Sequence, residues 1–421
     1  MKKYLTYIIL FALSSCTLAP DEWVDFTDYS GLDPKISFIP MGAAVENTIT
    51  EDVLSECPTP EDGTEESVSR TTSIAGLTLI RKFLSSSLSN SVRCYSGTYW
   101  SVDADGNPAK VSGRIILPAK GEISRIVVAS HFTIGKNDEA PSITLPMEAV
   151  LATHGLAVIC PDYIGYGVTP DIIPPYLCKD VTAQNVVDMY FAALPFLKYI
   201  DRMPKNDDIL IFGYSQGGAN TVGVQELFEN QYPETKIHYA LIGSGPYNIA
   251  TTYDIYIAKK TTVFPCAAPL IIQGLNEGMH LGLRYADFFQ TRVLINFTRM
   301  VNSKEYTMGQ INDFIGTHDL LQILTPMACD KYQPETARLY RSMQENSVIH
   351  GYEPQSPVYF YHSYDDNIVP FENAKEMKKH LESLGVKNIT YNFGHYGDHN
   401  MGFLYFMDFA VNFLKKEKII K

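Results

Sequence analysis

The run Asp208-Ile209-Leu210-Ile211-Phe212-Gly213-Tyr214-Ser215-Gln216-Gly217-Gly218-Ala219 constrains this chain more than any other stretch. Its first half is apolar on both faces, as a strand in the middle of a covered sheet must be. Its second half opens a helix that continues through Val222, Gln225, Glu226 and Glu229 and stops at Tyr232-Pro233. Between the two, Ser215 sits at the apex of a sharp turn. Side chains at positions 213 and 217 would strike the neighbouring helix and strand, so both positions require glycine, and Gly218 extends that tolerance. A strand, a strained turn and a helix with a serine at the tip is the setting of a candidate nucleophile. The glycines do not form a phosphate loop, because no lysine follows them. No nucleotide, flavin or haem motif occurs elsewhere, so no cofactor is expected.

The rest of the chain repeats the alternation. Thr98 to Val102 and Ser112 to Leu117 flank an Asp105-Gly106 turn and read as an antiparallel hairpin. Short apolar runs follow at 126–129, 156–159, 209–212, 239–242, 358–361 and 389–393, with helical patterns at 180–200, 217–230, 371–384 and 401–415. Strand and helix in turn imply an α/β class with a doubly wound, mostly parallel sheet. Between about 245 and 356 the alternation breaks into aromatic- and Met-rich helical stretches such as His280 to Thr291 and Glu335 to Asn346. The expected organisation is a core of 71–244 and 357–421 interrupted by a helical cap at 245–356.

Ahead of the core, Lys2 and Lys3 precede the apolar run Tyr4 to Leu13, then Ser14, Ser15 and Cys16. That run falls short of the about 20 residues needed to cross a bilayer, and it reads as a signal peptide over 1–16. Leu13-Ser14-Ser15-Cys16 resembles the lipobox of bacterial lipoproteins, which implies acylation of Cys16 and attachment to a membrane of the cell envelope. Residues 17–70 carry Pro, Gly, Thr and many acids without a period, as an acidic tether would, with packing expected only around Phe38-Ile39-Pro40. The formal charge of -13 and the lack of a basic stripe argue against a nucleic-acid partner. Nothing suggests an obligate protein partner. Six further cysteines lack zinc-type spacing, and Cys160, ending an apolar run, reads as a buried thiol.

A serine hydroxyl is a poor nucleophile at neutral pH, so a base must take its proton and a third group must orient that base. After the insertion, the strand at Pro357 to Tyr361 leads into His362-Ser363-Tyr364-Asp365-Asp366-Asn367-Ile368-Val369-Pro370, which offers two carboxylates. After the last strand, Gly394-His395-Tyr396-Gly397-Asp398-His399-Asn400 offers two histidines ahead of an apolar helix. His395 and His399 lie four apart with Asp398 between them, but the two glycines make the segment a loop and no third ligand is apparent, so no metal is expected.

The combination of His131-Phe132-Thr133 after a core strand, Ala140-Pro141-Ser142, Pro161-Asp162-Tyr163-Ile164-Gly165-Tyr166-Gly167, the Ser215 turn, Asp366-Asn367-Ile368-Val369-Pro370 and Gly397-Asp398-His399 resembles the secretory lipase branch of the α/β-hydrolases. The likeness runs from about residue 95 to the end. It implies an α/β-hydrolase fold, acyl-serine chemistry on a small-molecule ester and a helical lid. It places the acid at Asp366 with Asp365 as rival, and the base at His399 with His395 as rival. It makes the backbone of Gln216 one oxyanion donor. The second donor lies between Phe132 and Thr133, because Phe132 stands where the family has glycine. His131 is expected to be structural, and Tyr163 either faces the pocket or simply forms a turn. The same fold hosts peptidases. A prolyl or aminoacyl peptidase would recognise a peptide amine through cap acids such as Glu277, Asp287 or Asp330. A surface-binding module on this scaffold would have lost its catalytic residues.

Overall fold

The computed structural model describes residues 91–421 together with two short strands, Val24–Asp25 (β1) and Phe38–Pro40 (β2). The expected signal peptide, Cys16 and most of the expected tether lie outside the described residues. Both short strands fall within the 17–70 segment, and β1 and β2 pair along one edge of the long strand Ser91–Val102 (β3), parallel and antiparallel respectively. Its other edge carries Pro108–Pro118 (β4) in a hairpin. The turn at Asp105-Gly106 works because Gly106 takes a φ of +77°, a conformation that costs glycine little.

The sheet continues through Ile126–Ser130 (β5), Ala157–Pro161 (β6), Ile209–Tyr214 (β7), Ile237–Gly243 (β8), Val358–Ser363 (β9) and Ile389–Gly394 (β10). Its spatial order is β1-β3-β4-β6-β5-β7-β8-β9-β10, and every pairing from β6 to β10 is parallel. β5, β6 and β7 are buried along their whole length, which explains why they lack polar alternation. Helices cover both faces. Lys179–Tyr199 (α2), Gln216–Gln231 (α3) and Glu372–Leu384 (α10) pack on one face; Ala149–Thr153 (α1) and His399–Lys416 (α11) pack on the other. Successive residues of β9 show the pleat, with Phe360 in one core layer and Tyr361 in the other.

From β5 the chain passes through α1 to β6 on one side, then through α2 to β7 on the opposite side of β5. The carboxyl ends of β5 and β7 therefore form a topological switch point, where consecutive connections leave in opposite directions and open a crevice. The Ser215 turn follows β7 and the His131-Phe132-Thr133 loop follows β5, so both face that crevice.

The connection from β8 to β9 carries Ile249–Lys259 (α4), Ala267–Gly278 (α5), Tyr285–Phe288 (α6), Thr291–Ser303 (α7), Met308–Ile315 (α8) and Pro334–Asn346 (α9). The helix expected over 280–291 differs: His280 and Gly282 have positive φ, and only the four residues of α6 and Thr291, the first residue of α7, are helical there. The His-Leu-Gly stretch breaks the helical period that the aromatic spacing suggested. The inserted helices rest on the loop after β5, where the Asn137 N–H donates to the Lys304 carbonyl at 2.8 Å. The five described cysteines are free thiols, and Cys160 is fully buried.

Candidate active site

Ser215 adopts φ 60° and ψ −124°, a strained conformation for a non-glycine residue that tight packing maintains. A Cβ on Gly213 would collide with the Gly217 carbonyl, and one on Gly217 with the Ser130 and His131 carbonyls. The close approach puts the start of α3 against the loop after β5. Among the described residues, the amides of Gln216, Phe132 and Thr133 donate to no protein acceptor. They sit at the helix start and on the facing loop, and they remain available to an anion.

The serine meets one histidine and one acid. His399 Nε2 lies 2.8 Å from Ser215 Oγ, and His399 Nδ1 lies 2.7 Å from Asp366 Oδ2. With the serine hydroxyl donating to Nε2, the ring carries its proton on Nδ1 and donates it to the carboxylate. Asp366 Oδ1 accepts from the backbone N–H groups of Ile368 at 3.0 Å and Val369 at 2.8 Å. The Asp366 side chain has no solvent exposure. Burial pushes its carboxyl upward, but the charge and hydrogen bond of His399, helped by His362 and the Ile368 amide, outweigh it and hold the group below the usual carboxylate range.

His399 is the first residue of α11, two residues earlier than the apolar pattern predicts. Asp398 caps that helix by accepting from the Met401 N–H, and buried Tyr214, next to the nucleophile, donates its hydroxyl to the His399 carbonyl at 2.9 Å. The imidazole is thus held by a helix terminus at its backbone and by the carboxylate at its ring. The two rivals pair with each other instead: His395 Nδ1 lies 2.9 Å from Asp365 Oδ1, both on the surface. This outer pair ties the two loops together without reaching Ser215.

His131 is buried, its Nδ1 donating to the Phe132 carbonyl at 2.6 Å while Nε2 faces the Asp162 carbonyl at 3.1 Å. Burial pulls its pKa down to about 4. The ring stacks on Tyr163, whose hydroxyl donates to the His131 carbonyl, so Tyr163 braces the loop rather than lining a pocket. Asp162 is buried and accepts from Ser112 Oγ, Ser142 Oγ and the Ser142 N–H. The Ala140-Pro141-Ser142 and Pro161-Asp162-Tyr163 motifs therefore meet in one polar network. Sequence spacing did not reveal that contact, which joins distant segments through the fold, nor the approach of His362 to Asp366, which depends on how the loop after β9 curls. Among the described residues no group of three or more His, Cys, Asp or Glu is arranged to hold a metal ion.

A mostly parallel sheet covered on both faces, with a strained serine at its switch point, defines the α/β-hydrolase fold. Within that class the chain belongs to the secretory lipase family, whose profile matches residues 142–417, and it is accordingly a lipid or ester hydrolase. Among solved structures, the rice cell wall degrading esterase LipA from Xanthomonas oryzae aligns with a TM-score of 0.67 at 19% identity, covering 81% of this chain and 92% of that one. A Legionella pneumophila protein aligns with a TM-score of 0.68 at 19% identity, covering 78% and 89%. Candida antarctica lipase A aligns with a TM-score of 0.54 at 16% identity, covering 75% and 74%. At such identities the likeness establishes the fold alone. No curated protein matches the chain by sequence.

Proposed function

We propose that this chain is a serine carboxylesterase that works through an acyl-enzyme on Ser215. The observation that carries the reading is the unbroken chain from Ser215 Oγ to His399 at 2.8 Å and from His399 to Asp366 at 2.7 Å. As Ser215 Oγ attacks the ester carbonyl carbon, its proton passes to His399 Nε2, and Asp366 stabilises the imidazolium. The carbonyl oxygen becomes an oxyanion facing the Gln216 amide and the Phe132 and Thr133 amides across the crevice. One such donor is worth about 10²–10³ in rate. Collapse breaks the bond to the alcohol oxygen, which leaves with the proton from His399. Water then gives a proton to His399 and its oxygen to the acyl carbon, and the second collapse returns the proton to Ser215 and releases the acid.

The cap supports an ester over a peptide substrate. The three cap acids named above as amine-recognition candidates already have local partners: Glu277 accepts from Tyr285, Asp287 pairs with Arg284 at 2.8 Å, and Asp330 accepts from Gln333 at 2.9 Å. A signal sequence with an acylated Cys16 would place the enzyme on the cell envelope, in keeping with a family of secretory enzymes. The reading is tested by Ser215→Ala, which is expected to abolish hydrolysis of a p-nitrophenyl ester and labelling by a fluorophosphonate. Wild-type turnover in that variant would refute it.

A further inference from the structure

His362, at the carboxyl end of β9, occupies a position that the fold would fill more cheaply with an apolar residue. It is fully buried, on the same face of β9 as Phe360, and its ring stands edge-on to Phe371. One nitrogen, Nδ1, is buried without a hydrogen-bond partner, an arrangement that costs free energy. The other, Nε2, lies 3.1 Å from the Val369 carbonyl and 3.5 Å from Asp366 Oδ2. Because a carbonyl only accepts, Nε2 carries the proton, and that single N–H is directed at the carbonyl with the carboxylate beside it. Burial pulls the His362 ring below its ordinary pKa despite the nearby Asp366, so the ring is neutral.

Two consequences follow for Asp366. The Val369 backbone is held at both of its polar groups: its carbonyl takes the His362 N–H, and its N–H feeds Asp366 Oδ1 at 2.8 Å. The turn that aims the carboxylate is therefore clamped by His362. The N–H edge also faces Oδ2, the oxygen that holds His399, and draws electron density from it. We infer that His362 is a positioning residue for the proposed reaction, setting both the orientation of Asp366 and the strength of its hold on His399. This rests on the Ser215, His399, Asp366 reading. The other titratable groups around the pair are Glu372 from the start of α10, and the Tyr214, Tyr247 and Tyr256 hydroxyls, whose ionisation the Asp366 charge opposes. None of them donates a hydrogen bond to Oδ2.

The test compares His362→Leu, which removes the donor, with His362→Gln, whose amide nitrogen reaches the place of Nε2. In the leucine variant the N–H dipole beside Oδ2 is gone, so the carboxylate holds the imidazolium more strongly. The acid limb of the kcat/KM profile for a p-nitrophenyl ester is then expected to rise by about 1 pH unit, with KM within about twofold. The glutamine variant is expected to restore the wild-type limb. A limb that stays in place or moves down in the leucine variant, or a glutamine variant that behaves like leucine, overturns the inference. Should the leucine variant fail to fold, the wild-type enzyme supplies the measurement. By nitrogen-15 NMR the His362 ring is expected to stay neutral through the acid limb, with its Nε2–H resonance shifting as His399 titrates. Absence of that coupling overturns the inference. Failure of the underlying reading has a different signature, because Ser215→Ala and His399→Ala would then retain turnover whatever the His362 variants do.

Discussion

Asp366→Asn isolates the contribution of one carboxylate. In the native site Oδ1 accepts two backbone N–H groups, from Ile368 and Val369, while Oδ2 accepts from His399 Nδ1 at 2.7 Å. An asparagine must place its carbonyl oxygen where Oδ1 was, because the reverse orientation would set its NH₂ against two donors. Its NH₂ then faces His399 Nδ1. A donor confronting a donor is relieved only if the imidazole moves its proton to Nε2, the nitrogen that faces Ser215 Oγ at 2.8 Å. Nε2 can no longer accept the serine proton. Such a wrong-tautomer lock costs about 10⁴ in kcat in a serine protease triad. A loss of that size corresponds to about 5 kcal/mol of activation free energy. The assay is kcat on a p-nitrophenyl ester, with fluorophosphonate labelling rate as an independent measure of serine reactivity and thermal unfolding as the check on folding. KM is expected to stay within about twofold, because the carboxylate is fully buried and lies behind the imidazole. Asp365→Asn, which alters only the surface pair with His395, is the matched control and is expected to leave kcat within about twofold. A loss below tenfold for Asp366→Asn in folded protein, or an equal loss for Asp365→Asn, would refute the reasoning.

Two further perturbations probe the scaffold. In Gly217→Ala the new methyl meets the Ser130 and His131 carbonyls, so the loop facing α3 must retreat; a stability loss of about 1–3 kcal/mol is expected in urea unfolding, with fluorophosphonate labelling falling by at least about tenfold. Lys304 is buried at the end of α7, its ammonium donating to the Val301 carbonyl at 3.0 Å and lying over the Tyr166 ring, and burial pulls its pKa from an ordinary 10.5 to about 8. The unfolded chain then binds more protons than the folded one between about pH 8 and 10.5, so wild-type stability gains up to ~3 kcal/mol as pH rises through that window. Lys304→Met is expected to stabilise the protein at pH 7 by an amount of that order, with the gain shrinking by pH 10, as read by urea unfolding at both values.

The strongest sequence signals were local ones. The Ser215 turn could be read because a strand, a strained turn and a helix occupy consecutive residues, and each demands its own residue types. The parallel strands were visible for a similar reason, since strands buried on both faces lose polar alternation and stand out as apolar runs. The helix expected over 280–291 failed because aromatic spacing within a packed cap satisfies core contacts without requiring continuous helical backbone. The start of α11 was placed two residues late because the apolar pattern begins at Met401, whereas the helix is set by the Asp398 cap.

By itself the sequence determined the fold class and offered Ser215 as a candidate nucleophile with a pair of candidates for each of its partners. Asp365 and Asp366 are chemically identical neighbours, as are the His395 and His399 rings, and only a resemblance to relatives ranked them. The tertiary structure separated them. It carried Asp366 into a dry site facing two backbone amides and one imidazole, and it left Asp365 outside to pair with His395. It also placed His362 against that acid, a contact that depends on the curl of the loop after β9. The physical reason is range: residue type and spacing report short-range preferences, whereas the ionisation and orientation of a carboxylate depend on groups that only the folded chain brings within about 3 Å.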